Sequence, residues 1–203
     1  MSPAVANSSE QHPSRSYRDC VGTFPTGVTV VTSSFEGRTA GMTLNSFISV
    51  SLNPLLILVS LAHSTRTLEV VSQSRKFTVS ILHRGQREIA LAFAAAAAAF
   101  PREHVNFEDD GHAPVREALA TLCCRVVDVM RAGDHDLVLG EVERFDRRDG
   151  EPLVFHRGMF GGLDADALAP RGQLAGTEEP RPTGTSNLHS VPSGQEPPAA
   201  GTT

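Results

Sequence analysis

Three short stretches of this 203-residue chain carry residue types whose spacing could do chemistry. The first is residues 41–54, GMTLNSFISVSLNP. Drawn out as a strand, it puts Met42, Leu44, Ile48, Val50 and Leu52 on one face and Thr43, Asn45, Ser49 and Ser51 on the other, interrupted by Phe47. The polar face offers hydroxyls and an amide without formal charge, which suits several neutral hydrogen bonds better than proton abstraction or metal ligation. A half-exposed strand with Thr and Ser turned to water shows the same pattern, and the residues alone leave both readings open.

The second stretch, His63-Ser64-Thr65-Arg66-Thr67, sets hydroxyls and a cation where a helix could begin. Free N–H groups and the helix dipole make such a start competent for a phosphate, and a plain Ser/Thr cap explains the same residues. The third is Gly133-Asp134-His135, which a hairpin turn accounts for. At the mouth of a barrel its imidazole could also touch a ligand ring or carboxamide. Asp109, Asp110 and His112 lie in an irregular stretch without a metal-ligand spacing, so no metal is expected. The Rossmann and P-loop glycine patterns, H-E-x-x-H, C-x-x-C and the G-x-S-x-G elbow are all missing, and no residue stands out as a catalytic acid, base or nucleophile.

Elements of one small domain must position these stretches. Residues 27–35 and 39–52 read as a hairpin turning at Glu36-Gly37, followed by a strand at 55–61 after Asn53-Pro54. A short helix over 65–73, a strand over 76–83 and a helix over 86–99 come next. Strands at 122–130, 136–145 and 153–156 complete the set, the first two joined by a tight turn at 132–134. Nothing alternates as βαβ, so a mainly β, antiparallel barrel with a few helices is expected. From Asp164 the chain has no aromatic residue and carries six of its 13 prolines, so 164–203 and the first 14 residues are expected to be disordered around a domain of 15–163.

The formal charge of −5, with no Trp and one Tyr, disfavours nucleic acid as a partner. No stretch is apolar enough to span a bilayer, and three cysteines without zinc or disulfide spacing point to the cytoplasm.

Taken in order, FPTGVTVVT (24–32), GMTLNSFISVSLNPLL (41–56), STRT (64–67), FTVSIL (77–82), Gln86, FA (93–94), GDH (133–135) and PLVFHRGMFGGL (152–163) resemble the short-chain flavin reductase family. That family includes the reductase components of two-component flavin monooxygenases. The resemblance implies a Greek-key split β-barrel that binds FMN or FAD, works as a homodimer, and passes hydride from NADH to flavin for a partner monooxygenase. It implies that Thr43, Leu44, Asn45 and Ser46 meet the isoalloxazine and ribityl chain and that Ser49, Val50 and Ser51 continue that wall. Ser64, Thr65 and Arg66 would hold the phosphate, and His135 would lie by the nicotinamide. NADH is expected ahead of NADPH, because no basic cluster near His135 offers a seat for the 2′-phosphate. The alternatives are a non-catalytic FMN-binding barrel and a flavoprotein that keeps its FMN for a substrate of its own. The chain departs from the family at Leu44, where relatives carry Ala, in the alanine run 94–99, and in the 40-residue tail.

Overall fold

The computed structural model describes residues 13–95 and 99–163 and the backbone of 189–190. Helix α1 (Pro13–Val21) leads through a short strand β1 (Thr26–Gly27) into the hairpin of β2 (Thr29–Phe35) and β3 (Arg38–Leu44). A second hairpin, β4 (Ile48–Leu52) and β5 (Leu55–Ala62), precedes helix α2 (Arg66–Ser74) and strand β6 (Lys76–Ile81). A 3-10 turn (Arg84–Gln86), helix α3 (Arg87–Ala94) and a second 3-10 turn (Arg102–His104) connect to the long hairpin of β7 (Ala120–Ala132) and β8 (His135–Arg147). Strands β9 (Val154–His156), β10 (Met159–Gly161) and β11 (His189–Ser190) follow.

The main sheet runs β3-β2-β6-β7-β8-β5-β4, every pair antiparallel. Strands β6, β7 and β8 are sequential neighbours and β5 returns beside β8, which is a Greek key. β3 and β4 stand at opposite ends of this path, yet only Asn45, Ser46 and Phe47 join them. Seven flat strands would set the two ends about 29 Å apart at about 4.8 Å per strand. The linker from Leu44 to Ile48 reaches about 14 Å at most. The sheet must therefore curl into a barrel, and since no ladder joins β3 to β4 among the described residues, the barrel is split.

Alternation along the strands fills it. Val31, Ile57, Val59, Leu61, Phe77, Val79, Cys124, Val126, Val138 and Val142 point inward, and α2 plugs the barrel with Leu68 and Val71. Gly140 is what allows Phe77 in, because a Cβ there would clash with its ring. Val30 of β2 faces the other way, and with Val28 just before the strand it joins a second cluster with Leu82, Ala90, Phe93, Val105 and Val115 beneath α3. The chain between α3 and β7 straps this outer face. Thr32 Oγ1 donates to Ala113 O at 2.6 Å, Ser80 Oγ accepts from the Val115 N–H at 3.0 Å, and Thr78 Oγ1 bonds the Nδ1 of fully buried His112 at 2.8 Å.

Three expectations need correction. Residues 39–52 form two strands, because barrel closure breaks the run at 45–47. The apolar face consequently splits: Met42, Leu44 and Phe47 pack on the barrel core, whereas Ile48, Val50 and Leu52 face outward. The helix expected over 86–99 ends at Ala94, since Ala95 takes an extended backbone, and residues 96–98 lie outside the described residues. Helix α1 starts at Pro13, with proline at the first helical position where its missing N–H costs nothing. Within the expected tail, His189 and Ser190 pair with Phe145 and Arg144 of β8, and the rest of 164–203 and residues 1–12 lie outside the described residues.

Candidate functional site

The helix start at Ser64-Thr65-Arg66 forms as its residue types suggest. Thr65 caps α2, its Oγ1 accepting the Leu68 N–H at 3.3 Å and donating to Ala62 O at 2.8 Å. With Thr65 engaged in that cap, the N–H groups of Arg66 and Thr67 have no acceptor among the described residues, at the positive end of the helix dipole. The helix stops at Arg75, which takes a left-handed backbone at φ +56°.

This helix start opens onto a cavity of about 360 Å³. One wall is β3 from Thr39 to Thr43, a second is Ser64 to Thr67, and the third is the end of α3 with Ala99, Phe100 and Pro101. Gly41 lets the walls meet, because a Cβ there would lie 3.0 Å from Phe93. Thr43 is fixed by donating its hydroxyl to Ala90 O at 2.6 Å, which ties β3 to α3. Phe100 stands edge-on to Phe93, ring centres 5.5 Å apart at 80°. Arg66 is the one charged residue among those lining the cavity.

Of the residues singled out in the sequence, Thr43, Ser64, Thr65 and Arg66 come together here. Leu44, Asn45, Ser46, Ser49, Val50, Ser51 and His135 do not line the cavity. Leu44 packs on the barrel core. Asn45 is exposed in the strand break, and Ser46 is locked to β5 through Ser60, donating to its carbonyl at 3.1 Å and accepting from its N–H at 3.2 Å. Ser49 and Val50 lie exposed on β4 beside a bulge, and Ser51 Oγ accepts the Asn53 N–H. The strand break also leaves the N–H groups of Asn45 and Ser46 outside any ladder.

His135 opens β8 directly opposite Ala62, so the β7–β8 turn touches the loop that starts α2, with the His63 N–H bonding Asp134 O at 3.0 Å. Its Nδ1 lies 2.7 Å from Asp134 Oδ1, and this hydrogen bond holds the Asp134 carboxyl below the usual carboxylate range. Beside it, His63 Nε2 lies 2.7 Å from Asp136 Oδ1. Sequence reasoning missed Thr39, Phe93 and Phe100 as parts of the site, because nothing local marks residues that only barrel closure and the α3 packing bring near α2.

The other titratable clusters lie elsewhere. Within the outer strap Asp110 accepts the His112 N–H at 3.1 Å, and it lies 3.2 Å from Arg144 of β8. Among the described residues no three His, Cys, Asp or Glu converge as a metal site. Burial pushes the Cys123 thiol up to about 12 and raises the Cys124 thiol well above its ordinary value, so neither is a nucleophile at neutral pH. No described helix is long and apolar enough to cross a membrane.

Residues 21–164 match the family model described as "Flavin reductase like domain". Over 148 residues the chain is 40% identical to "FMN reductase (NADH) SmoA" of Agrobacterium fabrum, covering 73% of this chain and 85% of that one. It is 36% identical over 146 residues to the reductase component of a 4-nitrophenol 4-monooxygenase/4-nitrocatechol 2-monooxygenase of Rhodococcus opacus, covering 71% of this chain and 78% of that one. The solved structure of flavin reductase PheA2 is similar with a TM-score of 0.69 at 39% identity, over 75% of this chain and 99% of that one.

Proposed function

The chain belongs to the flavin reductase-like family, and on that premise we propose that it is an NADH:flavin oxidoreductase that supplies reduced flavin to a partner monooxygenase. The observation that carries this reading is the meeting of a neutral β3 wall, an uncapped pair of helix N–H groups and Arg66 around one cavity. That donor set fits a flavin nucleotide: hydroxyls without formal charge for the polar chain, and a helix start with one cation for the phosphate.

When both nucleotides are bound, the flavin and nicotinamide supply the chemistry, hydride passing from the nicotinamide C4 to the flavin N5. The chain's part is to bind and orient. Ser64, Thr65 and Arg66 hold the phosphate, the N–H groups of Arg66 and Thr67 donating to it. Thr43, Leu44, Asn45 and Ser46 line the ring and ribityl chain, and Ser49, Val50 and Ser51 extend that surface. The N–H groups of Asn45 and Ser46, free of any ladder, would serve as hydrogen-bond donors toward the ring. His135 orients the nicotinamide, its own ring oriented by Asp134. No side chain need carry a proton in the hydride step.

The reading includes a homodimer, supported by β4: it is the last strand of the sheet path and presents Ile48 at 55%, Val50 at 50% and Leu52 at 84% exposure. Three free cysteines support the reducing cytoplasm as its compartment. The test is steady-state oxidation of NADH by the full chain with FMN, with FAD and with no added flavin. Oxidation that depends on added flavin supports the reading, and equal rates in all three sink it.

A further inference from the structure

The ladder between β5 and β8 ends where Ala62 stands opposite His135. Past that point little holds the tip of the β7–β8 hairpin. β6 pairs β7 no further than Lys76 with Arg125, so from Val127 to Ala132 β7 has β8 as its only strand partner among the described residues. Gly133 turns the chain at φ +65° in open space, and Asp134 is exposed. His63 is the residue that reaches this tip. Its N–H donates to Asp134 O at 3.0 Å, carrying the β5 backbone one step beyond the ladder, and its Nε2 lies 2.7 Å from Asp136 Oδ1. In this register Asp136 is the diagonal neighbour of His63 across the two strands, a position that a long side chain spans. Side-chain exposures of only 30% and 22% shelter the pair from water. The same loop anchors the start of α2, because Thr65 donates both its N–H, at 3.1 Å, and its hydroxyl, at 2.8 Å, to Ala62 O.

We propose that His63 is a positioning residue for the hydride transfer: by gripping Asp134 and Asp136 it keeps the His135 imidazole at a set distance from the helix start at Ser64–Arg66. The proposal rests on the flavin reductase reading, in which the flavin phosphate lies at that helix start and the nicotinamide at His135. Hydride transfer needs the two reacting atoms about 3–3.5 Å apart, so the seats of the two nucleotides must hold their separation. Beyond Ala62 no strand ladder does this. His63 touches neither nucleotide and acts through His135. Its backbone holds Asp134, the residue whose carboxylate bonds the His135 Nδ1 at 2.7 Å, and its side-chain bond to Asp136 keeps that backbone contact in register.

The experiment is steady-state NADH oxidation, beside a flavin titration, for the full chain and its His63→Ala, His63→Gln, His135→Ala and His63→Ala/His135→Ala variants. His63→Ala should raise the Michaelis constant for NADH about tenfold, the value of one charge-assisted hydrogen bond. Its kcat and its flavin affinity should stay within about twofold, because only the placing of the nicotinamide is lost. His63→Gln keeps a donor for Asp136 and should stay near the parent. In the His135→Ala background the His63 substitution should add nothing. An unchanged Michaelis constant in His63→Ala overturns the proposal and leaves the flavin reductase reading standing. So does an equal weakening of flavin and NADH, a His63→Gln variant as impaired as His63→Ala, or an effect that persists without His135. Should His63→Ala fail to fold, His63→Leu, close to the imidazole in size, replaces it against His63→Gln with the same outcomes. If the parent chain oxidises no NADH with either flavin, the proposal falls together with the reading beneath it.

Discussion

Replacing Arg66 with alanine should weaken FMN and leave riboflavin nearly unaffected. Arg66 is the first residue of α2, exposed at the cavity's rim, and the substitution keeps the Thr65 cap and both free N–H groups. What is lost is one charge-assisted contact to phosphate, about 1.5–3 kcal/mol when sheltered. Exposure and screening hold it to the low end, about 1.4 kcal/mol, or about tenfold in dissociation constant. Riboflavin shares the ring and ribityl chain but has no phosphate, so its affinity should change by less than about twofold on the same argument. Flavin fluorescence quenching measures both, and the FMN effect should shrink as salt is raised. A cation at a helix N-terminus opposes the dipole, by about 0.3–1 kcal/mol at an exposed site, so the free Arg66→Ala protein should melt no lower than the parent. Equal weakening of FMN and riboflavin, or an FMN affinity that does not move, would refute the assignment of the phosphate to this helix start.

Three further predictions follow from the geometry. His135→Ala should raise the Michaelis constant for NADH more than it weakens flavin, as read from steady-state kinetics beside a flavin titration; a tenfold loss of flavin affinity with unchanged NADH kinetics would contradict its role. His112 is held below the ordinary histidine value by burial, against the pull of Asp110, with Lys76 adding to the shift and Glu143 opposing it. The unfolded chain therefore takes this proton first, so stability is full above about pH 6.5 and falls on acidification toward the folded value, by at most about 1.4 kcal/mol per pH unit. Denaturant unfolding across this range should show that slope in the parent and a flatter one in His112→Gln; parallel profiles would argue against it. Leu52→Asp, on the exposed edge strand, should shift the proposed dimer to monomer in sedimentation velocity, and a variant that stays dimeric would place the interface elsewhere.

How much of this was legible beforehand follows from what is local. The β-branched run of β2, the turn at Gly133-Asp134 and the Thr65 cap are fixed by neighbouring residues, and the strands and α2 appear within a few residues of their expected bounds. The split in 39–52 is not local. Asn45-Ser46-Phe47 carries no turn signature, and only the need to link opposite ends of a curled sheet breaks the strand there. The same holds for the site: Ser64–Arg66 is readable as a helix start, but that Thr39, Phe93 and Phe100 join it depends on Gly41 letting α3 lie against β3. Helix propensity also misled at the alanine run, where α3 stops at Ala94, Ala95 is extended, and Phe100 stands against Phe93.

The most direct test of the central claim is anaerobic mixing of the full chain with NADH and a large excess of free flavin, following the flavin's visible absorbance. A reductase that releases its product should bleach many equivalents of flavin per protein chain. Bleaching of a single equivalent, or none, would contradict it.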